Sequence, residues 1–332
     1  MSDYIPSFEH FPNEILLEIF DYMQLSDLIR AFYNLNQRFN SILFSSNIYL
    51  RILYPDDIEQ KGLNQKFLAQ SLSNHRYLYR LRLTHDRNIP SENFLSLSLI
   101  RSLILDTPTY KLLEILTPER FPHLEYLRLG YISPQLFLNR LHQNIFSNRF
   151  SCLRKCSLNN LAYDQTWTGS PSIHTLGVWS DNPRPIICRV LSSLMQLHSL
   201  HLFLTWTKKW PLLDEHLIPP HVALKSLRLH LNGQWSYDKL DSFLAYIPTV
   251  KLLSLNSSYF DAHMVNFQWN FQYLANIFLC RLPNLSIFDC ELIFQKFKAF
   301  DFPSLVSCHS CFHSIQLEDY FDDDRCFRLF TK

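Results

Sequence analysis

The sequence predicts an α/β protein in which a short N-terminal helical module precedes a solenoid of repeated units with a parallel, concave sheet. The six-residue pattern L-x-x-L-x-L, with apolar substitutes, recurs from residue 78 onward. Each copy fits a short strand that buries its apolar side chains against the next unit. Residues 8 to 50 show instead the three- to four-residue apolar spacing of short amphipathic helices.

The first predicted helix opens with Pro12, which suits a first helical turn because its missing N–H costs nothing there. We expect this helix to end near Tyr22. Apolar residues form a single stripe along it. The stripe consists of Ile15, Leu16, Ile19 and Phe20.

A second helix is predicted to follow Ser26, a residue type suited to the N-cap position. Apolar residues at spacings of three and four continue this helix: Leu28, Phe32, Leu35 and Phe39. A third helix is predicted over residues 41 to 50. Because about forty residues bury too little apolar area to be stable alone, we expect the module to lean on a neighbour or a partner.

The repeated apolar pattern has the period of a leucine-rich repeat, which runs at about 20 to 29 residues. Its copies begin at Leu78, Ile100, Leu124, Leu153, Ile173, Leu197, Leu224, Val250, Leu285 and Leu305. The long interval from 250 to 285 is predicted to hold a longer helix near residues 262 to 279. The final copy, with Cys308 in place of a leucine, is degraded.

The opening helix also carries a family resemblance. The stretch Phe-Pro-Asn-Glu-Ile-Leu-Leu-Glu-Ile-Phe-Asp-Tyr-Met at 11–23 resembles the LP-x-E-[IL]-L-x-x-I-F-x-Y-L opening of the F-box family. Residues 27–28 and 36–39 match that family's second helix. The resemblance covers roughly residues 5 to 52, with Phe11 where leucine is usual. Its customary tryptophans are replaced by Phe39 and by Ile48 or Tyr49.

The F-box resemblance implies docking onto a Skp-family adaptor and, through that adaptor, onto a cullin. Carried over position by position, the adaptor-binding residues are Phe11, Pro12, Ile15, Leu16, Ile19, Phe20, Leu28 and Phe39. The alternative is a plain three-helix cap whose apolar stripe packs on the solenoid.

Together with the repeats, the chain resembles F-box proteins with leucine-rich repeats, in which the solenoid holds the substrate. We therefore expect an F-box-like module at 5–52, a helical linker at 53–77 and a leucine-rich-repeat solenoid with a C-terminal cap at 78–332. The predicted function is substrate recognition in a cullin-RING ubiquitin ligase. The alternative is a protein-interaction scaffold that has no connection to ubiquitin.

Side chains between and beside the strand leucines should project onto the concave face, because strand side chains alternate sides. Arginine and aromatic residues are the usual anchors of binding surfaces. The candidate substrate-binding residues are Arg82, Tyr126, Arg128, Trp179, His201 and Arg228. We expect Arg128 and Arg228 to hold an acidic or phosphorylated protein segment, the alternative being that these charges only keep the sheet face soluble.

The five glycines exclude familiar nucleotide and hydrolase motifs, because no two of them lie within six residues of each other. We therefore expect no enzyme, no catalytic residue and no cofactor. Cys308-x-x-Cys311-x-His313 resembles half a zinc site, but no second close pair accompanies it. The cysteines are expected to be core thiols, and no metal is expected.

Net charge and hydropathy limit which partners and which cellular compartment we expect. A net charge of +1 disfavours binding to nucleic acid, although a basic concave ribbon keeps that alternative open. No apolar run approaches the roughly 18 residues that a membrane span needs. The first residues lack the features of a signal peptide, so we expect the cytoplasm and/or the nucleus.

Overall fold

The fold is described by a computed structural model, which covers a defined set of residues. They are 8–23, 25–43, 80–83, 98, 100–130, 138–159, 161, 167–180, 186–204, 219–231, 237–257, 271–295, 306–307, 309–319 and 326–331. The chain divides into two compact units. The first is Met1–Asn144 with Arg149–Leu153, and the second is Ile145–Asn148 with Arg154–Lys332. The predicted linker at 53–77 lies outside the described residues.

The helical module begins the first unit. After a 3-10 turn at Phe8–His10 come α1 (Asn13–Tyr22), α2 (Leu25–Phe32) and α3 (Gln37–Leu43). Helix α1 ends at Tyr22, as the apolar stripe predicted.

The predicted second helix is too long, because α2 ends at Phe32 and does not continue to Phe39. The break is at Asn34, whose φ of 61° lies in the left-handed region that asparagine adopts more readily than most residues. The Asn36 side chain then caps the next helix, since its Oδ1 accepts a hydrogen bond from the Phe39 backbone N–H at 2.9 Å.

Two further boundaries differ from the prediction. Helix α2 begins at Leu25, so Ser26 lies inside its first turn and is not the N-cap. The third helix occupies Gln37–Leu43 in place of residues 41 to 50, and residues 44–50 lie outside the described part.

Apolar side chains from all three helices form the core of the module. They are Leu16, Phe20, Leu28, Phe39, Ile42 and Leu43. The Phe32 ring joins them, with ring-centroid distances of 4.7 Å to Phe20 and 5.2 Å to Phe39. The Arg38 guanidinium ties α3 to the start of α1, donating to Asn13 Oδ1 at 2.8 Å and to the backbone oxygens of Phe11 and Glu9.

Three strands of the first unit follow the repeated pattern. Strands β1 (Arg80–Leu83), β2 (Ser102–Leu105) and β3 (Tyr126–Leu129) are each parallel to the next. Helices α4 (Tyr110–Ile115) and α5 (Leu138–Phe146) complete the regular structure of this region.

The second unit holds eight strands among the described residues. They are β4 (Lys155–Asn159), β5 (Thr175–Ser180), β6 (Ser199–Leu204), β7 (Ser226–Leu231), β8 (Leu252–Ser257), β9 (Ile287–Gln295), β10 (Ile315–Asp319) and β11 (Cys326–Thr331). Strands β4 to β9 are each parallel to the next. One parallel strand per repeat is compatible with a repeat solenoid.

Helical segments lie between several of these strands. They are the π-helical segment Ile186–Leu191, α6 (Tyr237–Leu244), α7 (Phe271–Arg281) and the 3-10 turn Ser310–Phe312. Helix α7 falls at the long interval where a helix was predicted, although it begins later and ends at Arg281. A bidentate ion pair joins α7 to α6, with Arg281 donating to both oxygens of Asp241 at 2.7 and 2.8 Å.

The C-terminal hairpin was not predicted. The degraded repeat at Leu305 and Cys308 lies outside the described residues, and the chain continues into β10 and β11. Strand β11 pairs antiparallel with β9, and β10 pairs antiparallel with β11. Because an unpaired strand exposes a row of hydrogen-bonding groups, this hairpin covers the edge that β9 would otherwise present.

A tight turn precedes the strand of several repeats. The backbone N–H of the first repeat leucine donates to the carbonyl three residues earlier. The pairs are Leu153 to Phe150, Ile173 to Ser170, Leu197 to Leu194, Val250 to Ile247 and Leu285 to Leu282. The second residue of each turn points away from the core, which makes it available on the surface.

Candidate interaction surface

The outward face of the second unit's sheet is the surface on which the predicted substrate residues meet. Strand β6 shows the alternation that creates it: Leu200, Leu202 and Leu204 are buried, whereas His201 and Phe203 are partly exposed. Since strand side chains alternate between faces, the same register applies to the neighbouring strands.

Three rings stack on one another across three adjacent strands of this face. Trp179, Phe203 and His230 are direct register partners on β5, β6 and β7. The Trp179 and Phe203 centroids are 4.1 Å apart with planes 10° apart, and the Phe203 and His230 centroids are 4.2 Å apart at 14°. The stack stands upright on the sheet and leaves Trp179 44% exposed. Aromatic rings have positive edges, so the solvent-facing side of the stack suits oxygen atoms of a partner.

A second row of the face runs two residues before the stack. It contains Gly177, His201 and Arg228, again as direct register partners. Gly177 is buried, and the Ser157 side chain lies against it on the β4 side. Arg228 is exposed, and within the described part of the chain it has no hydrogen-bond or ion-pair partner.

Both histidines of the face are held in their neutral form. Burial lowers the pKa of His201, and the nearby positive charges of Arg228 and Lys155 lower it further. Burial and Arg228 also lower the pKa of His230, while Glu291 acts in the opposite direction. At neutral pH the fixed charge of Arg228 is therefore the principal cation beside the aromatic stack.

Acidic residues on the same face are already engaged within the fold. Asp289 on β9 accepts hydrogen bonds from Ser254 Oγ at 3.0 Å and from Thr331 Oγ1. Glu291 accepts from the Arg328 guanidinium at 2.8 Å, and Arg328 also donates to Glu318 at 2.7 Å. Among the described residues Arg228 therefore has no counter-ion, as a site for an anionic group would require.

The structure brings half of the predicted substrate-binding residues together. Trp179, His201 and Arg228 lie within three adjacent strands of the second unit. Tyr126 and Arg128 lie on β3 of the first unit, where Tyr126 is half-buried and Arg128 is exposed. Arg82 lies on β1 in register with Ile104, and its side chain is outside the described part.

Two residues of the stack were missing from the predicted set. Phe203 and His230 occupy the same position of successive repeats as Trp179. Aligning the repeats on their leucines would have placed all three in one column. The sequence therefore shows that the three residues share one repeat position, but only the parallel pairing of the strands brings their rings into contact.

The predicted adaptor-binding residues separate into two groups. Phe11, Pro12 and Ile15 are exposed, and Ile19 is half-buried. Buried side chains form the other group: Leu16, Phe20, Leu28 and Phe39. The three helices pack these four side chains into their own core, and the expectation that they contact an adaptor stays a prediction.

Cys156, Cys290 and Cys311 are buried, as core thiols should be, whereas Cys152 is half-buried and Cys280 is exposed. Burial raises the pKa of the Cys156 thiol, which occupies a repeat-leucine position, and raises the pKa of Cys290 to about 12. Cys311 is buried and lies 3.5 Å from the Leu285 carbonyl oxygen, while Cys308 lies outside the described residues. Among the residues described, no three metal-ligating side chains come together.

Comparison with known proteins adds no relative to these findings. No protein-family model matches the chain. No curated protein matches it significantly either. Within the described ranges, none of the helices combines the length and the hydrophobicity that crossing a membrane requires.

Proposed function

We propose that this chain is a substrate-recognition adaptor of a cullin-RING ubiquitin ligase, acting in the cytoplasm and/or the nucleus. In this proposal the F-box-like module docks onto a Skp-type adaptor, and the leucine-rich repeats hold a protein target. Other subunits transfer ubiquitin, so this chain needs no catalytic residue. Binding raises the effective concentration of the target's lysines near the ubiquitin carrier.

The observation that carries the proposal is the exposure of motif residues at the start of α1. Phe11 and Ile15 occupy F-box motif positions and are 40% and 42% exposed. Phe8 packs edge-on against Phe11 at 5.5 Å and is itself exposed. A patch of large apolar side chains on a small module is typical of a protein contact.

The repeat region supports the second half of the proposal. The stacked rings of Trp179, Phe203 and His230 are partly exposed and lie beside Arg228, whose guanidinium has no partner in the part of the chain that the structure describes. Aromatic and arginine side chains are the residues that most often dominate binding energy at protein interfaces.

A second candidate function is a repeat scaffold unconnected to ubiquitin. The burial of Leu16, Phe20 and Phe39 favours it, because these side chains would serve a simple helical cap equally well. The two functions differ in whether the exposed residues of α1 contact an adaptor.

Co-expression of the full chain with a Skp-type adaptor separates the two functions. We expect a stable one-to-one complex that survives size-exclusion chromatography. A variant carrying Phe11→Asp and Ile15→Asp should lose the adaptor while remaining folded, because both side chains are exposed. Circular dichroism and the urea midpoint report whether the variant is folded.

Val222→Asp is the matched control, since it also places a charge on an exposed apolar position but lies in the second unit. It should bind the adaptor as the parent does. A folded parent that does not bind would leave the scaffold as the better description.

A further inference from the structure

A row of basic residues crosses five consecutive strands of the second unit. Each member stands immediately before the first residue of its strand, and every one is exposed. They are Arg154, His174, His198, Lys225 and Lys251, preceding β4 to β8 in order.

Backbone hydrogen bonds hold the members of this basic row side by side. The N–H of each residue donates to the carbonyl of the preceding member. The pairs are His174 to Arg154 at 2.9 Å, His198 to His174 at 2.9 Å, Lys225 to His198 at 2.8 Å and Lys251 to Lys225 at 2.8 Å. Neighbouring members are thus one strand spacing apart, and the row extends about 19 Å.

No ion pair with a described residue neutralises the fixed charges of the basic row. Arg154, Lys225 and Lys251 have no ion-pair partner in the part of the chain that the structure describes. The two central rings, His174 and His198, lie 5.2 Å apart.

Three of the described acidic residues of the second unit pair with arginines outside the basic row. Asp241 pairs with Arg281, and Glu291 and Glu318 both pair with Arg328. Arg154, Lys225 and Lys251 therefore give the basic row three fixed positive charges on a chain whose formal net charge is +1.

A parallel row of apolar residues runs beside the basic row. Three residues before four of the five basic residues stand Pro171, Met195, Val222 and Pro248, whereas the polar Ser151 holds this position before Arg154. Met195 and Val222 are 52% and 62% exposed, although both are large apolar side chains. Cations and apolar side chains thus follow the same line across the unit.

We propose that this double row binds an extended, acidic protein segment whose carboxylates alternate with apolar side chains. The carboxylates pair with Arg154, Lys225 and Lys251, and the apolar side chains lie on Met195 and Val222. A nucleic-acid backbone would satisfy the cations but leave the apolar side chains without a partner. About six extended residues span the row.

This surface goes beyond the proposed ligase role, because its binding of a peptide can be tested whether or not the chain binds an adaptor. It also differs from the predicted substrate site, since none of its members belongs to the predicted set. The sheet face around Trp179 and Arg228 lies further along the same strands.

The test uses the full chain and a fluorescent peptide of alternating glutamate and leucine, with binding followed by anisotropy. We expect saturable binding that weakens as salt screens the charges. Lys225→Glu with Lys251→Glu should weaken it by about tenfold or more, since two attractions become repulsions. The control, Lys111→Glu with Arg140→Glu, makes the same change of charge at exposed positions of the first unit and should change binding less than about twofold.

The apolar half of the proposal has its own readout. Met195→Ser with Val222→Ser should weaken binding of the glutamate–leucine peptide but leave binding of a polyglutamate peptide unchanged. Three results would overturn the proposal: no peptide binding by the folded parent, equal loss in the control, or tighter binding of a single-stranded oligonucleotide than of the glutamate–leucine peptide.

Discussion

The Trp179 indole lies flat against the Phe203 ring, with centroids 4.1 Å apart and planes only 10° apart. Their strands are parallel and in register, so the same position of two successive repeats meets across one strand spacing. His230 extends the stack from the next repeat at 4.2 Å. Residues at the same position of three successive repeats therefore form one continuous stack of rings on the sheet face.

Phe203 is the central ring of this stack, so its removal should abolish the stacking contacts with both Trp179 and His230. Each stacked pair contributes about 0.5–1.5 kcal/mol beyond its buried area. We expect Phe203→Ala to lower the free energy of unfolding by about 2–4 kcal/mol, measured by urea denaturation. Phe203→Leu keeps the apolar volume without the ring and should lose less. Equal losses in the two variants would show that stacking contributes nothing.

His221 joins two repeats through both of its ring nitrogens. Its Nδ1 accepts from the Leu224 backbone N–H at 3.1 Å, and its Nε2 donates to the Leu194 carbonyl at 2.9 Å. The ring is buried, so His221→Ala leaves the Leu224 N–H without its acceptor and removes one of the two hydrogen bonds that the Leu194 carbonyl accepts. We expect a loss of about 2–4 kcal/mol in unfolding free energy. His221→Asn should recover part of it by restoring the acceptor for Leu224, and a fully stable alanine variant would refute the role.

His142 should make the protein less stable in mild acid. Burial lowers the pKa of His142 from 6.5 to about 3. Between those two pH values the unfolded chain binds a proton that the folded protein does not, so stability falls as the pH decreases from 6.5 toward 3. This contribution amounts to about 2 kcal/mol at pH 5.

A comparison of urea unfolding at pH 7.5 and pH 5 measures the effect of His142. His142→Leu should show a smaller loss of stability between the two values than the parent. The exposed His123→Asn is the control and should follow the parent. An unchanged pH dependence in His142→Leu would contradict the assignment.

Gly130 lies where no side chain fits. A Cβ at this position would come 1.9 Å from the Asp106 carbonyl oxygen, and the Gly130 N–H donates to the Leu105 carbonyl at 2.7 Å. We expect Gly130→Ala to lower the melting temperature strongly, with a cost of about 3 kcal/mol or more. Gly177→Ala is the matched control: its Cβ would meet the movable Ser157 Oγ at 3.1 Å, so its effect should be much smaller.

Thiol labelling of the native protein should discriminate among the cysteines. Cys280 is exposed, whereas Cys156 and Cys290 are buried with raised pKa values. Because the thiolate is the reactive form, iodoacetamide should label Cys280 within the native state and spare the other two. Peptide mapping by mass spectrometry measures this, with urea-unfolded protein as the reference. Rapid native labelling of Cys156 would show that its repeat opens readily.

The sequence by itself determined the strands of the repeats. The alternation of Leu200, Leu202 and Leu204 with polar or aromatic neighbours specifies which side of β6 is buried, because side chains on a strand alternate between faces. The same local rule placed every strand from β1 to β9 on its repeat, and the helical spacing of the apolar stripe placed the end of α1 at Tyr22.

The apolar spacing predicted one continuous helix where the structure has two helices separated by a turn. Leu28, Phe32, Leu35 and Phe39 keep helical spacing, yet the chain leaves the helix at Asn34. Apolar spacing reports which side chains prefer burial, and a turn between two helices can satisfy the same preference. That choice depends on how the helices pack, as the Phe32 contacts with Phe20 and Phe39 show.

Only the tertiary structure decided the features that depend on distant parts of the chain. Strand β11 pairs beside β9, out of sequence order, because the edge of β9 needs hydrogen-bonding partners. Parallel register joined Trp179, Phe203 and His230 into one stack and aligned Arg154 through Lys251 into one basic row. Such contacts join residues of successive repeats, so they depend on how the strands pair. A short stretch of sequence does not contain both partners and cannot predict the contact.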